Sequence, residues 1–218
     1  MHTEKRNFDL AAARWDEHPA RVKLAQDIAQ AVSTQIALTA EMDVMDFGCG
    51  TGLMTLLLQP RVRSITGVDT SQGMLDVLRQ KIDQLKLSNV RAALLDEDKA
   101  EGLQGSYDVV VSSMALHHIA DLEPVFRQFY DVTNPGGYLG IADLDSEGGR
   151  FHGDNAGVFH FGFDRTTLGE VFAAAGFEQV RAGDAAEVVK PNAQGEMERF
   201  TVFLMIGRKP AGQAYIAR

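Results

Sequence analysis

Residues 46 to 52 read Asp-Phe-Gly-Cys-Gly-Thr-Gly and directly follow the apolar run Met42 to Met45. An apolar run that breaks into alternating glycines is a buried strand turning sharply into a helix. Glycine in such a turn lets the backbone approach a ligand with no Cβ in the way. The spacing decides which ligand. A dinucleotide fingerprint needs G-x-G-x-x-G, and here Leu53 stands at its third glycine position. A P-loop would end in Gly-Lys-Ser/Thr, which is absent. Asp46 adds a carboxylate two positions before the first glycine. The loop is built for close approach of a ligand other than a phosphate.

The next elements favour a nucleoside. Ser64 to Asp69 reads as a second strand ending in an acid. A carboxylate about 20 residues beyond the glycine loop can accept hydrogen bonds from ribose hydroxyls. Thr70-Ser71 offers an N-cap for a helix over Gln72 to Leu85. Val90 to Leu95 reads as a third strand, closed by Asp96-Glu97-Asp98. Tyr107 to Ser112 is a fourth, and Asn134-Pro-Gly-Gly137 turns into a fifth through Ala142.

Four pieces occur in one order: Asp46 to Gly52, Gly67-Val-Asp-Thr-Ser71, Tyr107 to Ile119 and Pro135-Gly-Gly-Tyr-Leu139. In this order and spacing the chain resembles a class I S-adenosylmethionine-dependent methyltransferase of the small-molecule type. The likeness covers about residues 40 to 145, and Ala175-Gly-Phe177 before a strand extends it. It also resembles the quinone-biosynthesis C-methyltransferases. The resemblance implies an α/β, Rossmann-like fold: a seven-stranded, mostly parallel sheet with an antiparallel C-terminal hairpin and helices on both faces. It implies S-adenosylmethionine as cofactor. Gly48, Cys49, Gly50 and Gly52 would line its methionine part. Asp46 would sit near the loop or the cofactor's amino group. Asp69 would take both ribose hydroxyls, Thr70 and Met74 would flank the adenine, and Asp96 or Glu97 would reach the adenine amino group. Ser113 and Met114 follow the fourth strand and would lie near the cofactor. The single cysteine, Cys49, reads as a small residue beside the ligand and not as a catalytic thiol.

Methyl transfer requires alignment of a nucleophile behind the methyl carbon and exclusion of water, so no strong catalytic constellation is needed. His117 can take a proton from a hydroxyl or acidic carbon, and Asp143 and Asp145 leave the fifth strand on the pocket side. Adjacent His117 and His118 are not expected to face one side, and scattered histidines with one cysteine give no zinc-ligand spacing. No metal site is therefore expected.

One domain is expected over 1–218: a helical cap over 1–40, a cofactor-binding core over 41–145, and an acceptor-side loop with the C-terminal hairpin over 146–218. In the cap, residues 8 to 18 suit a short helix and Ala20 to Leu38 a longer one, with Trp15 and Phe8 as a lid over the cofactor. His152, His160 and the neighbouring phenylalanines would wall a pocket for an apolar or aromatic small-molecule acceptor. The net charge of −9 argues against nucleic-acid partners. No run approaches the ~20 residues of a membrane span, the first residues lack a signal-peptide core, and the lone cysteine suits a reducing compartment, so a cytoplasmic location is expected. Two other readings remain open: a non-catalytic nucleoside-binding domain and a nicotinamide-dependent oxidoreductase. The sequence names neither the acceptor nor the oligomeric state.

Overall fold

The structure, a computed structural model, describes residues 8–95, 102–191 and 195–212. Seven strands form one sheet: β1 (Asp43–Phe47), β2 (Ser64–Asp69), β3 (Val90–Leu94), β4 (Tyr107–Ser113), β5 (Thr133–Leu144), β6 (Glu178–Pro191) and β7 (Met197–Arg208). Their order is β3-β2-β1-β4-β5-β7-β6. The first five pair in parallel, and β7 runs antiparallel to both β5 and β6. This is the Rossmann-like sheet with a terminal antiparallel pair that the motif order implies.

The helices are α1 (Phe8–Ala11), α2 (Pro19–Gln35), α3 (Leu53–Leu58), α4 (Gln72–Leu85), α5 (Leu122–Val132) and α6 (Arg165–Ala174), with 3₁₀ turns at Ala12–Glu17, Gln59–Arg61 and Leu116–His118. Consecutive strand residues point to opposite faces, and the core divides accordingly. Val44 joins the side chains of α2, α3 and α4 on one face, while Met45 joins those of α5 and α6 on the other. Pro19 starts α2 at a position where its missing N–H costs nothing. That helix stops at Gln35, short of the expected Leu38, because Ile36 turns to extended backbone and is buried in the core. Ser71 caps α4, its Oγ accepting from the Met74 amide at 3.2 Å. Asp121 caps α5, which buries Val125, Phe126, Phe129 and Val132 along one stripe.

The chain passes from β1 outward through β2 to β3, then returns to place β4 on the other side of β1. The crossovers from β1 and β4 therefore diverge, leaving a crevice at the carboxyl ends of these strands, the usual ligand position in open α/β sheets. Phe129 anchors the face behind it. It is fully buried, 4.9 Å from Phe47 and 5.7 Å from Phe126 between ring centroids. Phe129→Ala should cost about 3–5 kcal/mol, read as a lower urea midpoint with an unchanged slope; a loss under about 1 kcal/mol would contradict this packing.

Candidate active site

A cavity of about 680 Å³ opens at this crevice, within the range of small-molecule sites. The loop after β1 forms its floor. The Gly48 and Cys49 amides donate to the Val68 carbonyl at 2.8 and 3.1 Å, which ties the loop to β2. Gly48 has φ +69°, and a Cβ there would meet the Ala115 Cβ at 2.4 Å. Gly50 has φ +54°, but a Cβ there would find only the Met74 sulfur, 3.9 Å away. Gly48 thus serves packing against the segment after β4, whereas Gly50 keeps backbone bare toward the cavity. Gly52 packs on Leu78 and does not line the cavity.

Asp69, at the end of β2, joins this loop to the next helix. Its Oδ2 accepts from the Gly50 amide at 2.7 Å, and its Oδ1 from the Ser71 amide at 2.9 Å. Loss of water raises its pKa, and the Ser71, Gly50 and Thr70 amides oppose the rise. Each oxygen of a carboxylate has two lone pairs, so both keep capacity for a ligand. Asp46 lies deeper. Thr55 Oγ1 donates to its Oδ2 at 2.5 Å, and burial, with the Asp69 charge in support, pushes its pKa up to about 7. Burial likewise pushes the Cys49 thiol well above its ordinary range, so it is no ready nucleophile.

The N-terminal segment is fastened over these parts. Asp9 accepts from Ser71 Oγ at 2.5 Å and from the Gly73 amide at 2.8 Å, which together hold its carboxyl below the ordinary range. Asp16 accepts from Thr51 Oγ1 at 2.5 Å and pairs with Lys81 at 2.5 Å, while Lys81 also donates to the Thr51 carbonyl at 2.7 Å. Between these anchors Phe8 and Trp15 meet edge to face, 6.0 Å apart, and both line the cavity. Arg21 lies over the Trp15 ring at 3.8 Å.

The opposite wall carries the imidazoles. His117 is buried in the 3₁₀ turn after β4, and its Nδ1 lies 2.7 Å from Asp143 Oδ1 on β5. Asp143 is fully buried behind the wall, so Nδ1 carries the proton and Nε2 presents a lone pair forward. The loop over residues 146–163 folds back onto this turn: the Phe159 and His160 amides donate to the His117 carbonyl at 2.9 and 3.2 Å. It also brings His152 Nε2 to 3.3 Å from His117 Nε2. The expectation that His117 and His118 diverge fails, because Asp143 and the Gly157 carbonyl each hold one ring at Nδ1; their ring centroids are 4.2 Å apart. With His152 they form a three-histidine cluster, against the expectation of no metal-ligand group.

Among the sequence-derived candidates, Trp15, Asp46, Gly48, Cys49, Gly50, Asp69, Thr70, Met74, Ser113, Met114 and His117 all line the cavity. Met114 does so in a left-handed backbone at φ +54°, uncommon for a residue with a side chain. Asp96 and Glu97 lie outside the described residues. Asp145 does not reach the pocket; it is held by Arg165 at 2.6 Å, which also grips Asp184. His160 does not line it either: its Nε2 is 2.9 Å from the Ile119 carbonyl and its ring packs on Phe163. Phe159 and Phe161 are 41% and 46% exposed. Pro124, Val125 and Gln128 of α5 and Val188 and Lys190 of β6 also line the cavity, without a signal in the sequence that places them there. The Asp121 cap and the apolar stripe behind it mark α5 in the sequence, but nothing local aims it at the cavity.

Comparison with known proteins agrees. Residues 17–182 match a family model described as a methyltransferase domain. An uncharacterised methyltransferase of Schizosaccharomyces pombe is 37% identical over 135 residues, 56% of this chain and 48% of the relative. A ubiquinone biosynthesis O-methyltransferase of Pseudomonas aeruginosa is 28% identical over 147 residues, 66% of this chain and 63% of that protein. The chain thus spans about half of the first relative's length and somewhat more of the second's. A solved Haemonchus contortus phosphoethanolamine N-methyltransferase 2 in complex with S-adenosyl-L-methionine superposes with a TM-score of 0.67 at 15% identity, covering 84% of this chain and 52% of that one; this likeness shows the fold.

Asp46 gives stability a pH dependence of definite sign. Its folded pKa of about 7 exceeds the ordinary 3.8, so the folded chain binds the extra proton between these values. The contribution is complete below pH 3.8 and is lost as pH rises through about 7, up to about 4 kcal/mol as an upper bound. Asp46→Asn should flatten the fall in urea stability between about pH 4 and 7; an unchanged profile would contradict the burial argument.

Proposed function

The chain belongs to the methyltransferase-domain family, class I and S-adenosylmethionine-dependent, and on that premise we propose that it transfers a methyl group to O, N or C of a small, largely apolar acceptor. The observation that carries this reading is Asp69, bound to the Gly50 and Ser71 amides at the rim of the same cavity that His117 faces. One end of the cavity is thereby suited to a nucleoside and the other to proton chemistry.

The residues fit the cofactor. Gly50 offers bare backbone, Asp69 offers lone pairs for a vicinal diol, and Asp46 places a buried carboxyl beneath the loop, where a positively charged ligand would favour its ionised form. The bound cofactor supplies an electrophilic methyl on a sulfonium and a good leaving group. The chain supplies everything else. The loop and Asp69 fix the donor, Thr70 and Met74 border it, and Phe8 and Trp15 cover it against water. Excluding water and aligning two reactants accounts for much of such a catalytic effect. His117 Nε2 points its lone pair at the acceptor region and activates the acceptor there. Asp143 is a positioning residue, fixing the His117 ring and its tautomer.

The Pseudomonas relative is named for O-methylation in ubiquinone biosynthesis, and the Haemonchus enzyme for N-methylation of phosphoethanolamine. Leu24, Ile119, Pro124, Val125 and Phe151 line the cavity here, which favours a ring-bearing acceptor held by burial over a phosphorylated one. The domain extents 1–40, 41–145 and 146–218 follow this division of labour: cap, donor half and acceptor half.

Isothermal titration of the chain with S-adenosylmethionine and S-adenosylhomocysteine should give micromolar binding. Asp69→Ala should weaken both about 10- to 100-fold, the loss of hydrogen bonds to a charged group; binding of neither ligand by the parent chain would defeat the reading. Trp15→Ala should raise the KM for the cofactor about 5-fold or more by opening the cover, with circular dichroism unchanged. Unaltered cofactor affinity and turnover in that variant would remove Trp15 from the lid.

A further inference from the structure

We propose that His117, His118 and His152 form a site for a divalent transition metal of the zinc type, with its remaining coordination position open to a hydroxyl or thiol of the acceptor. The argument starts from a proton count. Asp143 lies 2.7 Å from His117 Nδ1, so the neutral ring has its proton there and a bare lone pair on Nε2. His118 Nδ1 lies 2.7 Å from the Gly157 carbonyl, and a carbonyl oxygen can only accept, so the proton is again on Nδ1 and the lone pair on Nε2. Two of three neighbouring imidazoles are thus set in the same tautomer by groups outside the cluster. A carboxylate or backbone carbonyl behind each ring is the usual support of metal-binding histidine.

Distance points the same way. His117 Nε2 and His152 Nε2 are 3.3 Å apart. With Zn–N bonds of 2.0–2.1 Å, the edge of a tetrahedral site is about 3.4 Å. One ligand atom from each ring falls within 4.8 Å of the others, so movements of up to about 1.4 Å complete the triangle. A cation shared between the facing nitrogens also resolves their lone-pair contact, which otherwise needs one of them protonated. Three histidines with an open fourth position are the ligand pattern of catalytic zinc, whereas structural zinc sites are closed. All three rings border the cavity, between Phe8 on one side and Phe151 on the other.

The role of the fourth ligand rests on the methyl-transfer reading. An acceptor R–OH binds through oxygen and its proton passes to solvent, eased by the metal charge. An oxygen lone pair then forms the bond to the methyl carbon as the carbon–sulfur bond breaks, and that electron pair returns to sulfur. The products are neutral R–O–CH₃ and neutral S-adenosylhomocysteine. A thiol acceptor follows the same balance. In the loaded protein the His117 lone pair is spent on the metal, and the metal takes over acceptor activation.

The test uses the full chain without a histidine tag, freed of metal by chelator. Zinc(II) titrated calorimetrically should bind at one equivalent, and cobalt(II) should give the visible absorption of a tetrahedral site. His152→Ala, at a partly exposed position, should bind zinc at least about 100-fold more weakly with an unchanged thermal midpoint, and Asp143→Asn about 10- to 100-fold more weakly. His118→Gln gives a second ligand-deletion variant. Absence of a one-to-one zinc site, or parental affinity in both His152→Ala and His118→Gln, overturns the proposal. S-adenosylhomocysteine titrated into the metal-free chain reports on the methyl-transfer reading separately. Its binding without zinc binding sinks the metal site alone, and zinc binding without it leaves the metal site standing and removes the acceptor's role.

Discussion

The architecture of the site depends on one half-buried carboxylate. Asp69 ends β2 where two loops must meet, and it accepts one backbone amide from each: Gly50 from the turn after β1, Ser71 from the start of α4. Backbone donors withdrawn from water must find acceptors, and here a single side chain serves both. The geometry follows from that sharing. Gly50 must adopt a left-handed backbone to point its N–H at Asp69, and doing so leaves its other face bare to the cavity. A desolvated carboxylate costs free energy until a ligand supplies further donors, so the same residue that organises the loops also prepares a place for hydroxyls.

Around this centre, the cavity walls come from elements outside the parallel core. Asp9 and Asp16 clip the N-terminal segment to α4 and to the glycine loop. The loop over 146–163 is clipped to the turn at His117 by backbone bonds. Neither segment buries a large apolar stripe of its own, so polar contacts set their positions. Such segments are where specificity varies on a constant scaffold. The sheet and its two packed faces hold Asp46, Asp69, His117 and Asp143, while cap and loop decide what can enter.

Much of this was legible in the sequence, and the reason is local chemistry. Ser71 before Gln72, followed by the stripe of Leu75 and Leu78, marks α4 at Gln72–Leu85, as observed. The glycine spacing and the carboxylates at 46 and 69 mark the donor half because each feature acts within a few residues of itself. What stayed hidden depended on tertiary return of the chain. His152 is expected near the acceptor, but its meeting with His117, 35 positions earlier, depends on how the irregular loop over 146–163 returns after α5 and β5, and no periodicity constrains direction there. The facing of His117 and His118 is likewise tertiary: Asp143 on β5 and the Gly157 carbonyl of the later loop hold the two rings. Asp145, just past the end of β5, carries the same signal as Asp143 within it, yet Arg165 from a later helix claims it.

The most direct measurement is a crystal structure of the chain with S-adenosylhomocysteine. The account predicts the ribose hydroxyls on Asp69, the amino-acid part along Gly48 to Gly50, and the sulfur directed toward the wall of His117 and His152. Ordered ligand density elsewhere, or a ribose remote from Asp69, would contradict it.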